Sequence, residues 1–125
     1  MPSNTTPFEL IVPKTKKTPF ILSIPHCGIA FPSELKNTYN QSLISAPDDT
    51  DWFLEILYDF AEDMGITIIK AMYSRWVIDL NRTPENQSLY NDGRIITSLC
   101  PTTDFLGKPL YLSKEHEPNP EEIQR

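Results

Sequence analysis

The sequence predicts an α/β domain, and three stretches carry that expectation. They are an apolar run at 18–24 ("TPFILSI") that closes in "PHCG", an apolar stripe spaced four residues apart from Trp52 to Met64, and a second apolar run at 66–72 ("ITIIKAM") entered directly after Gly65. Short strand-like runs around one helical pattern are the mark of a sheet with a helix packed across it. At 125 residues the chain is the size of one compact domain, and 12 prolines against 4 glycines predict long ordered connections.

Taken in order, the run at 18–24 has a proline near its start and a loop after its end, as suits a buried strand. Open α/β sheets place their chemistry at the carboxyl ends of strands, which is where His26 falls. From Asp48 to Gly65, Trp52, Ile56, Phe60 and Met64 stand four apart with Phe53, Leu57 and Ala61 beside them, predicting one amphipathic helix. Its first N–H groups are expected to be capped from residues 48–50, and Gly65 to close it in the left-handed conformation. Residues 66–72 and then Trp76 to Leu80 ("WVIDL") read as strands. "RTPENQSLYNDGR" is turn chemistry, and "LCPTTDFLGKPLYL" is irregular apart from a hairpin expected at Leu106 and Gly107. The final "EPNPEEIQR" reads as a helix start, with Asn119 as cap, Pro120 in the first helical position, and Glu121 and Glu122 in the first turn. Six residues are too few for a stable helix, because nucleation is costly, so the domain is expected to continue past Arg125.

A net charge of −6 and a pI near 4.8 repel phosphate backbones and anionic lipid, so neither nucleic acid nor membrane is an expected partner. Lys14, Lys16 and Lys17 read as a solvated basic patch beside a strand. The first residues show no charged segment followed by a long apolar run, which predicts a cytoplasmic protein with neither secretory signal nor membrane span. Cys27 and Cys100 are far apart and form no CxxC pair, so free thiols in a reducing compartment are expected.

The candidate chemistry begins with His26 and the carboxylates Asp48, Asp49 and Asp51. Imidazole and carboxylate from neighbouring loops are ligand types of catalytic zinc, but a backbone-bonded loop histidine and capping aspartates explain the same residues. Cys27, adjacent to His26, would need a sharp turn to share a side with it, and a packed thiol is the simpler reading. His116 lies in a charged segment and is expected to be solvated. In "SRWVIDLNR", Asp79 is too polar for its run. Either Arg75 or Arg82 satisfies it as an ion pair, or the two arginines present forks to an anionic substrate. An extended segment would hold those arginines roughly 23 Å apart, so serving one small molecule requires a bend.

"PHCG" followed by "FPSEL", "DDTDW", "YSRWVIDLNR" and "LCPTTDFLGKPLY", in that order, resembles the N-formylglutamate amidohydrolase (deformylase) family from about Ile21 onward. The family commonly has "PHSG", with serine where Cys27 stands. The resemblance implies a metal-dependent hydrolase with a zinc-exopeptidase-like α/β/α sandwich and mixed sheet, of which residues 1–125 would be the N-terminal portion of a single domain. Such an enzyme releases formate from N-formyl-L-glutamate in histidine breakdown. By the same resemblance His26, Asp51 and Asp49 would ligate or support a divalent metal, zinc above all. Asn81 and Arg82 would bind a substrate carboxylate, and Arg75 would bind a second carboxylate or polarise the scissile carbonyl. The expected partner is a small anionic N-acyl amino acid. The resemblance also places a further histidine and a catalytic glutamate downstream of Arg125, so residues 1–125 alone are expected to turn over little substrate. A related aspartoacylase-like deacylase and a non-catalytic homologue are the competing expectations.

Overall fold

A mixed three-stranded sheet, in the order β1-β3-β2, organises the chain in a computed structural model that describes residues 5–85, 92 and 98–125. Strand β1 (Phe8–Ile11) runs antiparallel to β3 (Thr67–Ala71), with Phe8 opposite Ala71. Strand β2 (Ile21–Ile24) runs parallel to β3, with Ile21 opposite Thr67. The 18–24 and 66–72 runs are therefore strands, as expected, joined by a crossover of the kind parallel pairing requires. The β1 pairing was not anticipated, since "FELI" is short and mostly exposed.

The single helix expected over 48–64 is a correction. Phe53 adopts a left-handed backbone (φ 64°), and two short turns follow, α2 (Leu54–Leu57) and α3 (Phe60–Asp63), with Tyr58 breaking the helical ladder between them. α1 (Gln41–Ile44) precedes them, capped by the Asn40 side chain on Ser42 N–H. No side chain caps α2; of residues 48–50, Thr50 Oγ1 donates to Pro47 O and Asp49 accepts from Trp76. The buried line is Leu54 and Ala61 against Ile24 and Ile68, while Phe53 (76% exposed) and Ile56 (70%) face outward. Gly65 does take the left-handed conformation (φ 77°), and a Cβ there would meet Lys16 O at 2.1 Å.

Residues 76–80 are a second correction: they form turns, not a strand. Val77 N–H donates to Ser74 O, Asp79 N–H to Leu99 O and Arg82 N–H to Asp79 O, so the backbone is satisfied locally and by residue 99. Trp76 anchors this stretch in a second core with Tyr39, Ile44, Leu110 and Tyr111. There the Tyr39 and Tyr111 rings stack at 4.4 Å and their hydroxyls meet at 2.9 Å. The hairpin at Leu106 and Gly107 is present. Thr103 bridges Pro109, Gly107 has φ 79°, and Asp104 Oδ1 accepts from both Leu106 and Lys108 N–H. α4 (Pro120–Gln124) carries the expected Asn119 cap as a full capping box with Glu122. The expected turns at 86–91 and 93–94 lie outside the described residues. Among those described, no helix is long and apolar enough to cross a membrane.

Candidate functional site

The loop that leaves β2 is held along the stretch after β3. Ala30 N–H donates to Met72 O, and Ser74 N–H donates back to Ala30 O. Gly28 lies so close to this partner that a Cβ would stand 2.3 Å from Tyr73 O. No other residue fits there without moving the backbone. The same loop accepts Asp51 N–H at His26 O (2.9 Å), which ties the aspartate segment to the histidine.

These constraints bring His26 against Asp79, with 2.6 Å between imidazole Nε2 and Oδ1. Asp79 is fully buried and also accepts from Arg75 Nη2 at 3.0 Å and from Asn81 N–H at 2.9 Å. Burial alone pushes its carboxyl upward. The hydrogen bonds from His26 and Asn81 and the positive charges beside it outweigh that, and bring its pKa from 3.8 down to about 2. An ionised carboxylate only accepts, so the proton of a neutral His26 resides on Nε2 and the Nδ1 lone pair is left outward. Asp51 Oδ2 lies 3.7 Å from that Nδ1 and is half exposed.

The remaining expected residues divide. Asp49 is buried, with Oδ2 accepting the Trp76 indole N–H at 2.6 Å. Burial raises its pKa and the indole bond opposes the rise, while Asp48 and Asp104 add to it. It braces the loop that carries Asp51. Arg75, besides its bond to Asp79, stands over the Phe105 ring at 5.6 Å. The ion-pair reading of Asp79 thus holds for Arg75. Asn81 uses its backbone N–H on Asp79, and Arg82 Nη1 donates to Asn81 O while the side chain lines a cavity of about 270 Å³. The segment between the two arginines turns, with Val77 N–H on Ser74 O and Arg82 N–H on Asp79 O, instead of running extended.

Cys27 turns its thiol to Ile24 O and Ala71 O, and burial pushes that thiol up, the opposite of an activated nucleophile. His116 bonds the Ser113 hydroxyl in an exposed turn. Among the described residues no three His, Cys, Asp or Glu side chains gather as a metal cluster. His26 and Asp51 supply two adjoining donors. The link from His26 to Asp79 and the indole clamp on Asp49 were missed from the sequence. A carboxylate inside an apolar run signals a buried partner, but nothing in the spacing says that the partner is a histidine 53 positions earlier.

Residues 18–125 match the family model described as N-formylglutamate amidohydrolase. An N-formylglutamate deformylase of Pseudomonas putida is 40% identical over 95 residues, covering 76% of this chain and 34% of that protein. One from Pseudomonas aeruginosa is 39% identical over 106 residues, covering 82% of this chain and 38% of that one. The crystal structure of an N-formylglutamate amidohydrolase from Ralstonia eutropha JMP134 shares the fold with a TM-score of 0.65 at 23% identity, over 97% of this chain and 45% of that chain. The chain spans about a third of the length of the curated relatives it matches.

Proposed function

The chain belongs to the N-formylglutamate amidohydrolase family, and from that premise we propose that it is part of a metal-dependent hydrolase releasing formate from N-formyl-L-glutamate. The observation that supports this reading is the 2.6 Å bond from His26 to Asp79, which holds Nδ1 toward the Asp51 carboxylate. An imidazole whose other nitrogen donates to a carboxylate is the usual preparation of a metal-ligating histidine. The pair fits a divalent ion, zinc best by its imidazole and carboxylate types, as two ligands of a site that takes three. When bound, such an ion polarises the formyl oxygen and lowers the pKa of water toward about 7.

The residues divide the remaining work. His26 and Asp51 would hold the ion, Asp79 fixes the imidazole tautomer, and Asp49 with Trp76 holds the Asp51 loop in place. Arg82, with Asn81 beside it, would bind a carboxylate of the substrate through a guanidinium fork. In the same reading Arg75, committed to Asp79, keeps that carboxylate ionised and reaches the reaction through His26. Hydrolysis forms a carbon–oxygen bond at the formyl carbon and breaks its bond to nitrogen, and the departing amine takes a proton. A zinc-exopeptidase-like sandwich around the mixed sheet, a cytoplasmic setting, a role in histidine breakdown and the place of residues 1–125 within one hydrolase domain belong to the same proposal. It is tested by zinc titration calorimetry on the wild type, His26→Ala and Cys27→Ser. Binding lost in the first variant and kept in the second supports it; equal binding by all three removes His26 from the site.

A further inference from the structure

The cavity beside Arg82 is walled on one side by the stretch Ile78–Pro84 and on the other by α4, through Ile123 and Gln124. At about 270 Å³ it sits close to the lower limit of small-ligand sites, about 300 Å³. Its walls are mostly apolar: Ile78, Leu80 and Leu99 face it together with Ile123. Three polar residues interrupt them. Asp79 is balanced by Arg75 and His26, Arg82 brings a cationic fork, and Gln124 brings an amide that can donate. Because Asp79 belongs both to this wall and to the His26 bond, a ligand seated here lies one residue away from the imidazole.

We infer that α4 sets side-chain specificity, with Ile123 covering the methylene stem of an acyl amino acid and Gln124 donating to the oxygen at its far end. This rests on the functional reading above and adds to it the residues that would read the glutamate side chain, Ile123 along its two methylenes and Gln124 at its terminal oxygen. The first turn of α4 is held in shape locally. Asn119 Oδ1 accepts from Glu122 N–H at 2.9 Å, and the Glu122 carboxylate returns a bond to Asn119 N–H at 2.9 Å. Gln124 then follows in the same turn with its own side chain uninvolved in the cap. A side chain one methylene shorter leaves the Gln124 donor unmet or draws the other end away from Arg82. One such methylene is worth about 10–200-fold in discrimination.

The test is a ¹H–¹⁵N NMR titration of the 125-residue chain with N-formylglutamate and N-formylaspartate, repeated with Gln124→Leu and Ile123→Trp. The wild type should prefer N-formylglutamate at least tenfold, with shifts at Ile78–Arg82 and Ile123–Gln124. Gln124→Leu should erase the preference while leaving spectral dispersion unchanged, and Ile123→Trp, which fills the cavity, should weaken both ligands. If N-formylglutamate binds with shifts at His26 and Arg82 but Gln124→Leu keeps the full preference, the role of α4 is refuted and the functional reading stands. No saturable binding by the wild type refutes the role of α4, and the zinc titration above then decides the functional reading by itself.

Discussion

His26 Nε2 and Asp79 Oδ1 stand 2.6 Å apart across 53 residues of sequence, and Asp79 has no exposure to solvent. Its carboxyl is held at about 2 against an ordinary 3.8. A depressed carboxylate contributes stability that is complete above the unfolded value and is lost as pH falls through the folded one. The difference corresponds to on the order of 2 kcal/mol. Unfolding free energy from urea melts should therefore drop by about that amount as pH falls from about 5 to below 2. Asp79→Asn should lack this component and lose roughly 3 kcal/mol near neutral pH, because Arg75 is left without its buried partner. An Asn variant with the wild-type acid profile would place the pairing elsewhere.

Trp76 and Asp49 make the second short contact, 2.6 Å from indole nitrogen to carboxylate. Trp76→Phe should destabilise the protein by about 2–4 kcal/mol, from the unpaired buried carboxylate together with lost packing. Asp49→Asn keeps an acceptor for the indole and should cost less than half as much. Equal losses in the two variants would mean that the hydrogen bond contributes little.

Gly28 is where the histidine loop touches the 72–74 stretch. A Cβ would meet Tyr73 O at 2.3 Å and Met72 C at 2.6 Å, both backbone atoms with nowhere to go. Gly28→Ala should cost several kcal/mol or displace the loop, visible as NMR shift changes at His26. A variant as stable as the parent, with His26 unmoved, would contradict the close approach.

The Cys27 thiol donates to two carbonyls and burial raises its pKa. It should react slowly with iodoacetamide at pH 7.5, well behind a free model thiol, and Cys27→Ser should change stability by about 1 kcal/mol or less because a hydroxyl can make the same bonds. Rapid alkylation in the folded state would show the thiol to be open.

The parts of this fold that could be read from the sequence are those in which neighbouring residues decide the outcome. Gly65 after an apolar stretch, the strands within the 18–24 and 66–72 runs, and the Asn119 cap are local chemistry, and each is found where expected. That the two strands run parallel and that Glu122 completes a capping box come from the structure. The 48–64 stripe misled because its spacing records where apolar residues fall, not which of them the sheet covers. Phe53 leaves the helical region, and the segment buries Leu54 and Ala61 instead. "WVIDL" misled in the same way. Its apolarity serves two purposes: Trp76 fills a core with Tyr39 and Leu110, while Asp79 is buried to meet His26. Partners 53 and 27 positions away leave no periodic trace, so His26, Asp51 and Arg82 could be named as candidates while their wiring could not.

The most direct measurement is formate release from N-formylglutamate by this chain joined to the remaining portion of the Pseudomonas putida relative, in the presence of zinc. A folded chimera should release formate, His26→Ala should abolish release, and Arg82→Ala should lower kcat/KM by at least tenfold, as loss of a charge-assisted contact worth about 1.5–3 kcal/mol requires. A folded chimera that releases none, or one whose rate is indifferent to His26→Ala, would contradict the assignment of this site to formyl-amide hydrolysis.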